Sequence, residues 1–480
     1  MNKPLRTLNL FDTIMLVSGS MIRSGIFIVS ADMSRSLGSP FWLLAAWILS
    51  GIITLFAALS YGELAGMMPE AGGQFVYLKR AYGKLTAFVY GWTVFLVIQT
   101  GVIAAVAVAF AKFTGVFFEV FDEKNVLLQI GSFKLSSAQL LAIASIAFLT
   151  WMNSQGIRNG KAVQRIFTSA KLVALFGLII LGIVFGLKTS VFSDNFSDPF
   201  QAFTTSVKDN VVSTSPLYGI GIYTALGVAM IGALFSSDAW NNVTFIAAEV
   251  KEPQRNIPLG LFIGTTVVTV IYVLANIAYL MLLPVKGDPS AQTVMEQGLM
   301  FAQNDRVGTA ALFVVFGNIS KYLMAALIMV STFGCNNGLI LAGSRLFQSM
   351  AADGLFFDKA KELNKNAVPA KALTFQAIWA SVLCLSGSYG DLLDYSTFAS
   401  LIFYIVTIGG LFILRKKEPD TPRPYKAFGY PIIPIIYILL AGAICIDLLF
   451  FKTFNTGMGV LMIFLGIPVF YLFNKKADSK

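Results

Sequence analysis

Histidine is absent from this sequence of 480 residues, and cysteine and charged residues are scarce. The lack of histidine excludes histidine metal ligands and histidine proton relays. Only 12% of the residues are charged, about half of the roughly 25% that is typical of soluble domains. The three cysteines, Cys335, Cys384 and Cys445, lie in apolar segments, where we expect buried free thiols. We therefore expect neither a metal nor a cofactor.

Hydrophobic residues make up 56% of the chain and the mean hydropathy is +0.74, values that indicate a membrane protein. A helix that crosses a bilayer needs about 20 mainly apolar residues. The sequence predicts an all-α membrane protein with twelve such spans. Their approximate ranges are 11–36, 40–66, 83–113, 135–155, 162–187, 218–248, 257–283, 308–345, 371–388, 391–415, 431–452 and 455–473.

The distribution of lysine and arginine predicts the orientation of these spans. The net charge of +10 is spread between the apolar segments and not gathered in one patch, so we expect a lipid bilayer and no nucleic acid as partner. When the N-terminus is placed inside, the loops on that side carry more lysine and arginine than the loops outside. We therefore expect a multi-pass protein of the plasma (inner) membrane with both termini in the cytoplasm.

Glycine, serine and charge interrupt the first and the sixth apolar segments. The interruptions are Gly-Ser-Met-Ile-Arg-Ser-Gly-Ile-Phe at 19–27 and Gly-Ala-Leu-Phe-Ser-Ser-Asp-Ala-Trp-Asn-Asn at 232–242. Peptide groups that leave a helix in mid-bilayer can bind a substrate or an ion. The alternative for the first stretch is a glycine-rich face for helix packing.

The positions of the two interruptions predict an inverted repeat. Segments one to five and six to ten each begin with a broken helix, and an odd number of spans makes the two sets enter the membrane in opposite directions. We expect a first five-helix repeat at 1–187, a second at 188–415, and two extra spans with the tail at 416–480.

The two breaks together predict a site for an α-amino acid. Amides around Ser24 and Gly25 suit a carboxylate, and carbonyls of Phe235, Ser236 and Asp238 suit an ammonium group. Phe235 could cover the ligand, or it could be an ordinary core or lipid-facing phenylalanine. Asp238 could bond the unwound backbone or take up a proton, because a carboxylate at this depth is costly unless it is solvated or paired.

Lys171 is a charged residue within the fifth apolar segment. A lysine at this depth needs a partner or a lowered pKa. One hypothesis is a fixed cation beside the first broken helix, in the place of a bound sodium ion. The alternative is a lysine that snorkels to the inner interface.

Several motifs together resemble the amino acid–polyamine–organocation superfamily. Lys171 within Ala-Lys-Leu-Val-Ala at 170–174 makes the chain most similar to the L-type amino acid transporters and their bacterial relatives. The other motifs are the stretch at 19–27, Pro-Glu-Ala-Gly-Gly-Gln-Phe-Val-Tyr-Leu at 69–78, Phe-Ser-Ser-Asp-Ala-Trp-Asn-Asn at 235–242, Glu-Val-Lys-Glu-Pro-Gln-Arg-Asn-Ile-Pro at 249–258, and Leu-Arg-Lys-Lys-Glu-Pro-Asp-Thr-Pro-Arg-Pro-Tyr at 414–425.

The resemblance implies the leucine-transporter fold and alternating access. It implies that the first break binds the substrate carboxylate at Ser24 and Gly25, with Met21 and Ile22 beside them, and that carbonyls of the second break bind the amine. The remaining roles that it implies are an aromatic gate at Phe235, a sodium-replacing lysine at Lys171, and a tyrosine of segment seven that couples to this lysine, for which we choose Tyr279.

The resemblance also bears on partners. Animal relatives join a heavy subunit through a cysteine between segments three and four, and the corresponding loop here, at 114–134, has no cysteine. We therefore expect no disulfide-linked heavy subunit, and we expect a monomer.

Arg23 departs from the family pattern, which has a small residue, usually glycine, at this position. A large cation there would fill the cavity or repel the substrate ammonium, and at mid-bilayer it needs a counter-ion, for which Asp238 is the candidate. Arg23 is thus either a specificity residue or a residue that blocks or traps the carrier.

The leading functional hypothesis is a sodium-independent amino acid transporter, an exchanger that prefers neutral substrates. The second is proton-coupled uptake, with Lys171 or Asp238 carrying the proton. The third is a transport-impaired variant or a membrane sensor that binds an amino acid without moving it, which Arg23 makes conceivable. An enzyme is not expected, because the sequence has no histidine and no recognisable nucleophile–base arrangement.

Overall fold

The computed structural model of the chain describes residues 6–122, 125–130, 133–208, 211–386, 389–451 and 453–477. These residues form nineteen α-helices and two short antiparallel β-hairpins. The ends of two predicted spans, at 388 and 452, and positions 123–124 and 131–132 of the loop at 114–134 lie outside the described residues.

The helices account for most of the chain. In order they are α1 (Leu10–Met21), α2 (Val29–Leu37), α3 (Pro40–Met67), α4 (Gln74–Tyr82), α5 (Lys84–Thr93), α6 (Gln99–Thr114), α7 (Ser137–Ser154), α8 (Ile157–Gly186), α9 (Val191–Asn195), α10 (Ile220–Ser236), α11 (Asn242–Phe245), α12 (Pro253–Leu282), α13 (Val294–Gln297), α14 (Val307–Phe316), α15 (Ser320–Ala352), α16 (Ala370–Ser386), α17 (Tyr389–Lys417), α18 (Ile432–Phe451) and α19 (Thr453–Ala477). One hairpin lies between α6 and α7 and the other between α9 and α10; their strands are β1 (Val126–Ile130), β2 (Phe133–Ser136), β3 (Phe203–Lys208) and β4 (Val211–Pro216).

Eight helices within the described residues are long and apolar enough to cross a bilayer. The first and sixth predicted spans are not among them because each is divided, so that α1 and α10 are shorter apolar helices. The predicted span 308–345 is among the eight, within the segment Val307–Ala352, although Gly317 with its positive φ of 61° separates α14 from α15. The class of helical, multi-span membrane protein is confirmed, and the count of twelve stays a prediction.

Local sequence signals explain where the first helices begin. At the start of α1, the Asn9 side chain accepts a hydrogen bond from the Asp12 amide while the Asp12 carboxylate accepts one from the Asn9 amide, both at 3.0 Å. At the start of α3, Ser39 Oγ accepts a hydrogen bond of 3.2 Å from the Trp42 amide, and Pro40 occupies the first turn.

Small residues allow α12 to lie close to both α1 and α3. A Cβ atom at Gly264 would lie 2.6 Å from Val17 Cγ1 of α1, and one at Gly51 of α3 would collide with Thr269 of α12. Without a side chain at these positions the backbones approach closely, as is common between membrane helices. The interrupted helix α1 is thereby held against the long, continuous α12.

Candidate functional site

The first interruption separates α1 from α2. Helix α1 ends at Met21, Ile22 has extended dihedral angles (φ −72°, ψ 106°), and a 3₁₀ turn at Gly25–Phe27 precedes α2. The backbone therefore leaves the α-helix within the stretch that the sequence predicted. The break frees the last carbonyls of α1 and the first amides of the following turn from helical hydrogen bonding.

The second interruption separates α10 from α11. Helix α10 ends at Ser236, and residues up to Asn241 are not helical. Ala239 adopts a positive φ of 65°, which is costly for a residue with a Cβ atom and is typical of functional sites. This break also lies where the sequence predicted it.

The two interruptions meet in the core of the protein. A Cβ atom at Gly25 would collide with the Ser236 side chain, so glycine is required for this approach. The Tyr272 hydroxyl of α12 lies between the breaks, 3.1 Å from the Met21 carbonyl oxygen and 3.0 Å from that of Ser236. A hydroxyl has one hydrogen to donate, so at any moment Tyr272 donates to one of the two carbonyls.

The hydroxyl at the breaks belongs to Tyr272, whereas the sequence led us to choose Tyr279 as the coupling tyrosine. Both residues lie on α12, about two turns apart, and therefore on similar faces of the helix. The Tyr279 hydroxyl is buried and makes no hydrogen bond within the described part of the chain. Tyr272 is thus the tyrosine of α12 whose hydroxyl lies at the breaks, and the choice of Tyr279 as the residue that couples to Lys171 stays a prediction.

Lys171 of α8 is 0% exposed and lies against the end of α1. Its Nζ donates hydrogen bonds to the carbonyl oxygens of Gly19 at 2.5 Å and Ile22 at 2.9 Å. A cation at this position also interacts favourably with the helix dipole. The snorkelling alternative is wrong, since the ammonium group points to the break and not to an interface.

Two residues of α15 complete the contacts around these carbonyls. Ser331 Oγ donates to the Ile22 oxygen at 3.2 Å, and Cys335 Sγ donates to the Ser20 oxygen at 3.3 Å. Cys335 is a buried free thiol, as are the other two cysteines. The end of α1 is thus enclosed by hydrogen-bond donors from α8, α12 and α15. The sequence pointed to Lys171 but gave no signal for Ser331.

Arg23 is 0% exposed and reaches across to the second break. Its Nη2 donates to the Phe235 carbonyl oxygen at 3.1 Å and lies 3.9 Å from Asp238 Oδ2. The guanidinium carbon lies 4.5 Å from the centre of the Phe235 ring, a cation–π contact. Nε and Nη1 have no hydrogen-bond partner among the described residues. Arg23 therefore occupies one of the carbonyls that the sequence assigned to a substrate ammonium.

Asp238 links the second break to α17 and α4. Its Oδ1 accepts a hydrogen bond of 2.6 Å from the Tyr404 hydroxyl, which is also 3.2 Å from Asn241 Oδ1. Asn241 Nδ2 donates to Gln74 Oε1 at 3.0 Å, and Gln74 Nε2 donates to Thr407 Oγ1 at 2.9 Å. The motif at 69–78 thus contributes Gln74 to a buried network.

Two small cavities border Asp238 and Tyr404, each of about 20 Å³. A cavity of roughly 10–15 Å³ can hold one water molecule, so each has room for a water but not for an amino acid. Neither of these two cavities can hold an amino acid, and the Arg23 guanidinium lies between the broken helices.

Ion pairs join the segments that flank the two breaks to neighbouring parts of the bundle. Asp12 of α1 pairs with Lys161 Nζ at 2.7 Å and with Arg165 Nε at 2.5 Å of α8. Glu249, which follows α11, pairs with Arg345 of α15, and both are buried. On α2, Arg35 Nη1 lies 2.7 Å from Asp305 Oδ1.

Interrupted helices that meet at a buried polar site in a membrane bundle define the class of membrane carriers for small solutes. Residues 8–473 match the sequence profile of the amino acid permease family, and the chain belongs to this family. The resemblance to the amino acid–polyamine–organocation superfamily is thereby confirmed, and the chain is an amino acid transporter.

Proteins that are similar to this chain in sequence are named as amino acid transporters. The large neutral amino acids transporter small subunit 2 of Mus musculus is 31% identical over 464 residues, which cover 95% of this chain and 79% of that protein. The b(0,+)-type amino acid transporter 1 of Mus musculus is 30% identical over 438 residues, 91% of this chain and 81% of that protein. The Asc-type amino acid transporter 1 of Mus musculus is 27% identical over 464 residues, 95% and 79% of the two chains.

Proposed function

We propose that this protein transports amino acids across the membrane without sodium, by alternating access at the two helix breaks. The observation that carries the proposal is the position of Lys171, whose Nζ lies 2.5 Å and 2.9 Å from the Gly19 and Ile22 carbonyl oxygens at the end of α1. A fixed cation supplies the charge that a sodium ion would bring to these carbonyls, and it would repel a second cation there.

The substrate lies between the two breaks. The turn that begins at Gly25 presents its first amides, with Ser24, to the substrate carboxylate beside Met21 and Ile22. The carbonyls of Phe235, Ser236 and Asp238 accept the ammonium group. Phe235 acts as the gate, and it now covers the Arg23 guanidinium, so the gate closes over a cation of the protein itself. Substrate entry therefore requires Arg23 to move.

Exchange of neutral amino acids is the mode that we favour. The name of the large neutral amino acids transporter supports a neutral preference, and the cavities that border Asp238 are enclosed mainly by uncharged residues. Arg23 tunes this activity, because it holds the Phe235 carbonyl until a substrate displaces it. Tyr272, which lies between the carbonyls of Met21 and Ser236, transmits the state of one break to the other.

The proposed membrane arrangement is twelve spans in two inverted five-helix repeats at 1–187 and 188–415, with both termini in the cytoplasm at the plasma membrane. The excess of basic residues in the loops on one side supports this orientation. We further propose a monomer without a disulfide-linked subunit, because the loop at 114–134 has no cysteine. Some relatives are named small subunits, which makes a non-covalent partner the natural alternative to test.

Counterflow in proteoliposomes tests the proposal. Labelled leucine uptake is compared in vesicles loaded with unlabelled leucine and in empty vesicles, in sodium and in potassium buffers, with and without a pH gradient. We expect uptake in loaded vesicles that is the same in both buffers. Dependence on sodium, or accumulation in empty vesicles driven by the pH gradient, would contradict sodium-independent exchange. A panel of unlabelled competitors then defines the side chains that are accepted.

A further inference from the structure

An apolar groove of about 800 Å³ lies between α3, α12 and the linker that connects α17 to α18. Its volume is within the roughly 300–1,000 Å³ of small-molecule sites. The groove lies away from the two helix breaks, at the end of the bundle where α12 begins and α3 ends. Its apolar walls include Leu55, Phe56, Leu59, Leu259, Phe262 and Phe428.

Buried charges hold the linker wall of the groove in place. The Glu63 carboxylate of α3 is 0% exposed and accepts hydrogen bonds from Arg415 Nε at 2.9 Å, Arg423 Nε at 3.1 Å and the Ala427 amide at 2.7 Å. A Cβ at Gly62 would lie 2.8 Å from the Tyr425 ring, which packs directly on α3. The linker wall of the groove is therefore fixed by buried contacts with α3.

The groove changes from polar to apolar along its depth. Arg255 is in the first turn of α12, and Phe262 lies two turns further, about 10 Å deeper at 1.5 Å per residue. On α3, Leu55 lies roughly 18 Å from the end of the helix at Met67 by the same rise. One end of the groove is thus at the level where spanning helices begin, and the other is within the apolar part of the bundle. This is the pattern of a site for an amphiphile.

Arg255 provides a positive charge at the mouth of the groove that a ligand could contact. Arg255 is 74% exposed, and its ion pair with Glu252, one turn away on the chain, is long at 3.8 Å. Lys251 and Lys426, near Arg255 and Tyr425 in sequence, are also exposed. Basic side chains at a membrane interface attract anionic lipid headgroups.

We propose that this groove binds one anionic phospholipid, with an acyl chain against Leu59 and Phe262 and the phosphate at Arg255. The lipid holds α3, α12 and the linker together at the periphery of the helix bundle. Since α12 also packs on α1, we expect a lipid bound in the groove to raise the unfolding temperature of the whole protein. This proposal goes beyond amino acid transport and does not depend on the site at the breaks.

Thermal unfolding of the purified full chain in a neutral detergent tests the proposal, with tryptophan fluorescence as the signal. The probes are dioleoylphosphatidylglycerol, dioleoylphosphatidylcholine and soluble glycerol 3-phosphate. We expect phosphatidylglycerol to raise the apparent midpoint by a few degrees more than phosphatidylcholine, and glycerol 3-phosphate to have no effect. Equal shifts with the two lipids, or an equal shift with glycerol 3-phosphate, would overturn the proposal.

Three variants locate the effect. Arg255→Gln removes the cation at the mouth, Leu259→Trp fills the groove, and Lys365→Gln removes an exposed charge from a residue that does not line the groove. We expect the first two to lose the excess shift with phosphatidylglycerol and the third to keep it. Native mass spectrometry should count one phosphatidylglycerol fewer on each of the first two variants. Retention of that lipid by Arg255→Gln would contradict the assignment even if melting is irreversible.

Discussion

Lys171 and Arg23 are two buried cations at the same pair of helix breaks, and they differ in how completely they are paired. Lys171 donates to two carbonyls at the end of α1, at 2.5 Å and 2.9 Å. Arg23 donates to one carbonyl of the second break, while its Nε and Nη1 have no partner among the described residues. Asp238 lies 3.9 Å from Arg23, too far for a strong hydrogen bond.

We infer that Lys171 is a structural part of the fold, whereas Arg23 occupies a position that we assign to the substrate. An unsatisfied buried polar group costs about 1–3 kcal/mol, and more when it is charged, so Arg23 is poorly stabilised where it lies. Lys171 satisfies carbonyls that the end of a helix leaves free. Removal of the two cations should therefore have opposite effects on transport.

Lys171→Ala should have the largest effect. The substitution leaves the Gly19 and Ile22 carbonyls without their cation, and the loss of about 1.5–3 kcal/mol should reduce uptake by tenfold or more. Uptake per folded protein in proteoliposomes measures it, with Lys365→Ala as the control for an exposed lysine. Normal uptake by Lys171→Ala would mean that the cation is dispensable.

Gly25→Ala should be the next most severe substitution. The added Cβ collides with Ser236 and separates the two breaks, at a cost of about 1–3 kcal/mol. We expect uptake to fall about tenfold while the protein remains folded by size-exclusion chromatography. Gly177→Ala is the matched control, because a Cβ there meets no atom within 4 Å. Equal uptake by the two variants would argue against a contact between the breaks during transport.

Tyr272→Phe should have a moderate effect, and Tyr279→Phe little. The first loses a hydrogen bond of about 1 kcal/mol that ties the breaks, so we expect uptake to fall about fivefold. The second removes a hydroxyl without a partner in the described part of the chain. Uptake rates of both variants, measured side by side, check this order, and the reverse order would support Tyr279 as the residue that couples to Lys171.

The half-buried pair between Arg80 and Glu418 shows how much a cation contributes to stability outside the membrane-spanning segments. The hydrogen bond from Arg80 Nη2, at 2.6 Å, holds the pKa of Glu418 below its ordinary value. A lowered pKa means that the pair stabilises the fold at neutral pH and that this contribution is lost as the pH falls through the lowered value. We expect Glu418→Gln to lower the free energy of unfolding by less than about 1 kcal/mol at pH 7, and by a smaller amount at pH 3. An equal loss at both values would exclude an electrostatic origin.

The sequence was most informative at residues that are unusual within an apolar membrane segment. Glycine, serine and charge within an apolar segment predicted both interruptions, and a lysine in the fifth span predicted a buried cation, because such residues are costly in a bilayer. The same reasoning missed the division at Gly317, since a single glycine in a long apolar run does not reveal its φ angle.

Apart from the proximity of Arg23 and Asp238, contacts between distant segments were not predicted from the sequence. The pairs of Asp12 with Lys161 and of Glu249 with Arg345, and the network from Asp238 to Gln74, depend on how the helices pack. The resemblance implied a coupling tyrosine on α12, but no signal in the sequence pointed to Tyr272, whose hydroxyl lies at the breaks. Orientation on a helix is encoded locally, whereas depth and partners are set by the tertiary fold.

Uptake of labelled leucine by proteoliposomes that contain Arg23→Gly tests the central claim most directly. The claim is that the guanidinium occupies the ammonium position between the breaks, where it donates to the Phe235 carbonyl at 3.1 Å. The parental protein and the variant are compared at equal amounts of folded protein and without sodium. We predict a several-fold higher initial rate for Arg23→Gly, and an unchanged or lower rate would contradict the account.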